Sequence, residues 1–284
     1  MKNDTDLEIK VFKAEEASVN AYLIMDRTSV GVIDSLRNRE EAAKLSEMVR
    51  GTRRTPVWLY LTHGHPDHYI GARTLKEVFP DLTIYVASES IKQDIIGFSS
   101  WMDSVGWLEG QPQMKVRSEK NKDGFDYQST IKVLDAPRLK LSGGTELIVR
   151  SDFPAAECGH LSTVHCRELG ALFASDFCYQ GVHAWAGQGV ELEHIRNWLQ
   201  ILGDLKAELK DTDVTIYPGH GEAGGLGRLD EMRLYLLDFL AAVRGEHSNV
   251  AIKDRLKRLY PAHLQADFLL HHSVEYHGPD KLRR

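Results

Sequence analysis

Residues 57–62, Val-Trp-Leu-Tyr-Leu-Thr, form an apolar run behind Pro56, and the six residues that follow are His63-Gly64-His65-Pro66-Asp67-His68. A short apolar run next to a proline reads as a buried strand, and a buried strand needs layers over both of its faces. The loop leaving it is crowded with Thr62, His63, His65, Asp67 and His68. Imidazole nitrogens and a carboxylate are the ligands that a borderline divalent ion such as Zn²⁺ prefers. The C-terminal end of a strand is also where open α/β sheets place their sites. The alternation of His63 and His65 lets two imidazoles face one ion, and the adjacent Asp67 and His68 can turn toward a second. A polar turn with surface histidines would explain each residue singly. Four metal-capable side chains within six residues, directly behind a buried strand, favour a metal centre.

The rest of the chain alternates in a way that fits layers of sheet with helices outside. Residues 8–14, 20–26 and 30–35 read as strands, 38–50 as a helix, 70–79 as a helix and 83–87 as a strand. Segment 97–128 breaks this pattern with glycines, tryptophans and a charged run, and reads as an insertion or lid. Strands resume at 130–135, 145–150, 162–167 and 170–175. An amphipathic helix follows at 191–209, then a strand at 214–218 and a helix at 228–244. The last 40 residues read as charged and helical. The expected organisation is a catalytic domain over 1–225, including the insertion, with a helical extension over 226–284 packed on it.

Three more metal-capable residues stand at predicted strand ends. His160 follows the 145–150 region, Asp176 closes Ala-Leu-Phe-Ala-Ser-Asp, and His220 closes Val-Thr-Ile-Tyr-Pro. Alone, each reads as a cap or a satisfied polar group; together they share one topological position. Their order, H-x-H-x-D-H and then His, Asp and His, resembles the metallo-β-lactamase-fold hydrolase superfamily. So does the opening from Asn20 to Asp34, and the likeness runs over roughly residues 8–225. The resemblance implies an α+β fold, a four-layer αββα sandwich with a two-metal site at one edge of the sheets. It implies that His63, His65 and His160 hold the first ion, that Asp67, His68 and His220 hold the second, and that Asp176 bridges them. His165 competes with His160 but lies inside a predicted strand. Two ions, zinc by default with iron or manganese open, would activate a bridging hydroxide, with Asp67 and Asp176 orienting or deprotonating the water. Asp34 and Thr62 are candidates for fixing the imidazole tautomers.

Other features carry less. Gly219 to Gly224 match the dinucleotide pattern G-x-G-x-x-G, but the match straddles His220 and reads better as a tight wrap beneath it. Ser129 to Lys132 match S-x-x-K without its companion motifs, in a strand-like stretch. Cys158 and Cys178 flank the candidate ligands and read as small packed residues. His271, His272 and His277 read as a solvated tail. Phe98, Trp101, Trp107, Tyr179, His183 and Trp185 lie in two segments bordering the motifs, and are candidates for an apolar pocket wall. A net charge of −6 argues against nucleic acid, and Lys115 to Lys122 is the one basic run nearby. Three cysteines, a polar N-terminus and the lack of any run near the about 18 apolar residues of a membrane span point to the cytoplasm. The expected function is cleavage of an ester, lactone or thioester of a small molecule. A nuclease or phosphodiesterase, a β-lactamase and an iron-dependent oxygenase are the alternatives, and a homo-oligomer is left open.

Overall fold

The structure, a computed structural model, describes residues 7–109 and 111–280. The first six residues, Gly110 and the last four, which the sequence reading assigned to the catalytic domain, the insertion and the C-terminal extension, lie outside the described residues. The chain divides into two compact units. One takes in the described residues up to Ser151 together with Ser162–Leu169, and the other takes in Asp152–Leu161 together with those from Gly170 onward.

The first unit is built on a six-stranded sheet in sequence order. Strands β1 (Glu8–Lys13), β2 (Asn20–Met25) and β3 (Ser29–Ile33) form an antiparallel meander. Helix α1 (Arg39–Gly51) then returns the chain to β4 (Thr55–Tyr60), which runs parallel to β3. Helix α1 starts where the Asn38 side chain accepts the Glu41 N–H, with Glu40 and Glu41 in its first turn, both favourable at a helix N-terminus. The expected helix 70–79 is found two residues shorter at its start and one at its end. A single turn, α2 (Pro66–Tyr69), precedes α3 (Ala72–Val78). Next come β5 (Thr83–Val86), α4 (Glu89–Ser104), the short α5 (Tyr127–Thr130) and β6 (Ile131–Val133), with β4, β5 and β6 parallel. Three antiparallel strands complete the unit: β7 (Arg138–Lys140), β8 (Glu146–Arg150) and β9 (Thr163–Cys166).

Strand alternation sorts the side chains of the large sheet. Leu23, Met25, Val30, Val32, Leu59, Leu61, Ile84 and Val86 pack in one apolar cluster with Leu45 and Val49 of α1, Leu75 of α3 and Ile91 and Ile95 of α4. Along β4 the alternate positions make polar ties. Trp58 Nε1 donates to Lys140 O (2.9 Å), and Tyr60 Oη donates to Ser162 Oγ (2.7 Å). Just past the strand, Thr62 O accepts both Ser162 N–H (3.1 Å) and Ser162 Oγ–H (2.7 Å).

Segment 97–128 is less separate from the core than an insertion suggests. Its first residues finish α4, and Met102, Leu108, Met114, Phe125 and Tyr127 are buried in the same cluster as the sheet. Ser129 and Thr130 lie in the helical turn α5, not in a strand, which corrects the reading of that stretch.

The second unit holds β10 (Ala171–Tyr179) and β11 (Thr215–His220), parallel neighbours joined through α6 (Leu192–Leu209). Helices α7 (Gly227–Gly245), α8 (Asn249–Leu259) and α9 (His271–His277) follow. Ile195, Trp198, Leu202 and Leu205 of α6 meet Met232, Leu236 and Phe239 of α7, Ile252 and Leu256 of α8 and Val274 of α9 in one core. His271, His272 and His277 are therefore helical residues rather than a tail. The His272 ring lies 4.9 Å from Phe268, and that of His277 5.7 Å from Phe239. Sheets flanked by helices make the fold α+β, as expected. No described helix is long and apolar enough to cross a membrane.

Candidate metal centre

In the first unit the motif residues gather beyond the end of β4. The rings of His63 and His65 lie 4.8 Å apart, and those of His63 and His68 4.3 Å. His68 Nε2 lies 4.0 Å from Asp67 Oδ2. His63 and His68 are buried, while His65 and Asp67 are half-buried.

Asp34 organises this cluster. It follows β3 and is buried, and its carboxylate accepts Thr62 N–H (2.9 Å) and Thr62 Oγ1–H (2.9 Å) and meets His68 Nδ1 (2.8 Å). Thr62 Oγ1 in turn meets His63 Nδ1 (3.0 Å). A hydroxyl has one proton. With that proton given to an ionised Asp34, Thr62 Oγ1 accepts from His63 Nδ1–H. Asp34 likewise takes His68 Nδ1–H. Both imidazoles are thereby set in the tautomer whose Nε2 carries a lone pair, the form a metal requires. Burial holds the Asp34 carboxyl above its ordinary value, its His68 and Thr62 partners offsetting only part of that rise. Asp34 also sits at φ 60° and Leu36 at φ 72°. The left-handed region costs a non-glycine residue about 1–2 kcal/mol, and the surrounding hydrogen bonds hold it there. Ser35 N–H and Oγ–H both donate to His68 O (2.8 and 3.0 Å), tying the Asp34 turn to α2.

In the second unit Asp176 is not at a strand end. Strand β10 continues to Tyr179, and its register against β11 shifts on either side of Ser175, which has φ 49°. Such a bulge re-aims the next side chain, here Asp176. Its Oδ2 accepts Tyr179 Oη–H (2.6 Å) and lies 3.3 Å from His220 Nε2. Tyr179 and His220 are register partners, and their rings stack at 4.6 Å and 7°. The glycines around His220 have separate reasons. A Cβ on Gly219 would lie 1.8 Å from Asp176 Oδ1; Gly221 has φ 89°, and its Cβ would lie 1.8 Å from Gln180 O. The loop then doubles back, with Ile216 and Gly224 exchanging backbone hydrogen bonds of 2.7 and 3.1 Å. This is the tight wrap expected beneath His220, not an open phosphate cradle.

His160 is exposed, ten residues beyond β8, rather than at its tip. His165 is half-buried within β9, as expected. The residue that sequence reasoning passed over is Glu157. It is fully buried, and its Oε1 accepts from Tyr179 Oη (3.1 Å). Glu157 and Asp176 each offer a carboxylate oxygen, and these lie within 4.8 Å of one another. Its one sequence signal was its place three residues before His160.

The proposed pocket residues divide. Phe98 faces His65 edge-on at 6.1 Å, Trp101 lies 5.2 Å from Phe98, and Trp107 5.0 Å from Trp101. Trp101 and Trp107 are 39% and 51% exposed. Tyr179 belongs to the Asp176 and His220 cluster. His183 is buried, with Nδ1 3.0 Å from Tyr235 Oη, and desolvation lowers its pKa to about 4. Trp185 stacks on Phe268 at 6.4 Å. Cys178 is buried, and desolvation pushes its thiol up, as packing rather than catalysis expects. Residues 117–120 of the basic run are exposed, as a solvated loop would be.

The sequence profile of the Metallo-beta-lactamase superfamily matches residues 14–220. The chain belongs to the metallo-β-lactamase superfamily. Its fold is accordingly the α+β sandwich of that family, with sheets flanked by helices. Among solved structures, a metallo-β-lactamase family protein from Thermus thermophilus is similar at 17% identity and a TM-score of 0.63, over 94% of this chain and 91% of that one. The metallo-β-lactamase from Pontibacter korlensis is 13% identical with a TM-score of 0.56, over 84% and 96%. FIM-1 from Pseudomonas aeruginosa, in a mono-zinc form, is 14% identical with a TM-score of 0.54, over 84% and 92%. No curated protein matches. Members of the superfamily are metal-dependent hydrolases that use metal ions, usually zinc. The donors of this chain suit such an ion: buried imidazoles with fixed tautomers in one unit, and buried carboxylates beside an imidazole in the other.

Proposed function

We propose that the protein is a two-metal hydrolase cleaving an ester, lactone or thioester bond of a small molecule, with residues 1–225 as its catalytic domain and 226–284 as a helical extension. The observation that carries this reading is the Asp34 network, which presents His63 and His68 as neutral Nε2 donors. In the proposed ligand set His63 and His65 serve one ion, Asp67, His68 and His220 the other, and Asp176 both. A remaining place falls to segment 157–160, where the resemblance points to His160. Two divalent ions, zinc by default, would supply there a water of lowered pKa and polarise the electrophile.

The protein's own groups do the positioning. Asp34 holds the imidazole protons away from the ligand side. The Tyr179 hydroxyl and the gap at Gly219 fix the Asp176 carboxylate, which with Asp67 would orient water. Cys178, buried and with its thiol pushed up, stays protonated and is no nucleophile. The low, odd count of three cysteines fits a reducing, cytoplasmic setting.

The test is a panel of chromogenic esters, lactones, thioesters, phosphodiesters and β-lactams, run on protein of measured metal content. Turnover of the acyl substrates by protein with two metals per chain, abolished in His65→Ala and Asp67→Ala, is the expected result. Preference for phosphodiesters or β-lactams would replace the acyl reading with those activities. Activity that requires iron and oxygen would replace hydrolysis altogether.

A further inference from the structure

We infer that Glu157 takes the metal-ligand place that the family resemblance gives to His160. The inference rests on the two-metal reading above and changes one member of its ligand set.

Local structure separates the two residues. Asn197 Nδ2 of α6 donates to Ala155 O (2.9 Å), Ala156 is buried in the core of the second unit, and Ala156 N–H donates to Cys158 O (3.0 Å). This pinned turn buries the Glu157 side chain completely and leaves Gly159 and His160 exposed. The Glu157 carboxylate lies within 4.8 Å of that of Asp176, and both meet the same Tyr179 hydroxyl, at 3.1 and 2.6 Å. Tyr179 is in turn stacked on His220. Glu157, Asp176 and His220 thus form one buried group around a single phenol, whereas His160 is exposed.

The chemistry supports the exchange. A carboxylate oxygen in place of a third imidazole keeps the N/O donor set that zinc accepts, as in sites of two histidines and one glutamate. Two carboxylates at this spacing repel each other in a buried setting, and a shared cation turns that repulsion into attraction. Tyr179 then acts as the positioning residue: its one proton serves Asp176 Oδ2 at 2.6 Å, with Glu157 Oε1 beside it at 3.1 Å.

The test is Zn²⁺ stoichiometry and affinity, measured by competition with a chromophoric chelator, on the wild-type protein, Glu157→Gln and His160→Ala. The visible spectra of their Co²⁺ forms give a second readout. The wild type is expected to hold two ions. Glu157→Gln should lose one or weaken it beyond the roughly 10–100-fold that loss of an outer partner costs, and its Co²⁺ spectrum should change. His160→Ala should keep both ions within about threefold, with an unaltered spectrum. Loss of an ion in His160→Ala, or retention of both in a folded Glu157→Gln, would overturn the assignment. A loss of only 10–100-fold in Glu157→Gln would also overturn it and make Glu157 an outer partner. If Glu157→Gln does not fold, the exposed-site variant His160→Ala decides alone. A wild type that binds no Zn²⁺ would instead overturn the two-metal reading itself.

Discussion

Replacing Gly219 with alanine adds one methyl group and should disable the centre. Gly219 lies outside the left-handed region, so alanine meets no backbone strain there, and the effect is purely one of space. The added Cβ would lie 1.8 Å from Asp176 Oδ1 and 3.0 Å from its Cγ, where real Cβ contacts essentially never fall below 3.0 Å. Reaching that floor requires about 1.2 Å of movement by the carboxylate or the strand, several times the roughly 0.2 Å tolerance of a metal–ligand distance. The carboxylate cannot retreat freely, because Tyr179 Oη holds it at 2.6 Å. Overpacking of this kind costs about 1–3 kcal/mol of stability, and a 1 Å misplacement about 100-fold in rate. The expected result for Gly219→Ala is a folded protein with a modestly lowered Tm, impaired metal retention and kcat/KM reduced about 100-fold. Gly225→Ala is the control, since a Cβ there has nothing within 4 Å. Metal analysis, thermal unfolding and steady-state kinetics on the two variants decide the matter. Wild-type metal content and rate in Gly219→Ala would show that Asp176 does not need this gap.

Three further perturbations probe other parts of the argument. Asp34→Ala removes the acceptor for His68 Nδ1 and Thr62 Oγ1 and should weaken Zn²⁺ binding about 10–100-fold by chelator competition; wild-type affinity would refute the tautomer network. His183, held neutral by burial with a pKa of about 4 against the ordinary 6.5, binds fewer protons folded than unfolded between those values. Its contribution is therefore complete above pH 6.5 and is lost as pH falls toward 4, by up to about 3 kcal/mol. The stability gap between wild type and His183→Gln, measured by denaturant unfolding, should shrink over that range; a constant gap would refute the assignment. Trp101→Ala should raise KM for apolar substrates about three- to tenfold while sparing metal content and Tm, and a matching fall in stability would make the residue a packing element.

The motif behind β4 was legible because local spacing alone compresses four candidate ligands onto one loop. The family and the α+β fold follow from it together with the order of the remaining elements. The strands near Asp176 and His160 were misjudged for physical reasons. Asp176 was expected at a strand end, but β10 passes through a bulge at Ser175 and continues to Tyr179, and a left-handed serine leaves no mark in composition. The insertion concealed core residues because Leu108, Met114 and Phe125 are spaced irregularly and lie in turns and short segments beyond α4 rather than on one helical stripe. Glu157 was invisible for a different reason. Whether a lone glutamate points inward depends on the turn that Asn197 pins at Ala155, 42 residues earlier in the chain. Asp34 was foreseeable as a partner, yet only the folded chain shows that a single carboxylate serves two histidines.

The ties along β4 have a consequence for how the protein comes into being. Trp58, Tyr60 and Thr62 are anchored to Lys140 and Ser162 through indole, phenol, hydroxyl and main-chain groups, none of which is a proposed ligand atom. The post from which the histidine loop springs is therefore completed by the polypeptide alone. Cations enter a finished frame instead of assembling it, so a stripped sample should recover its ions without refolding, unlike domains whose chain collapses once zinc is withdrawn.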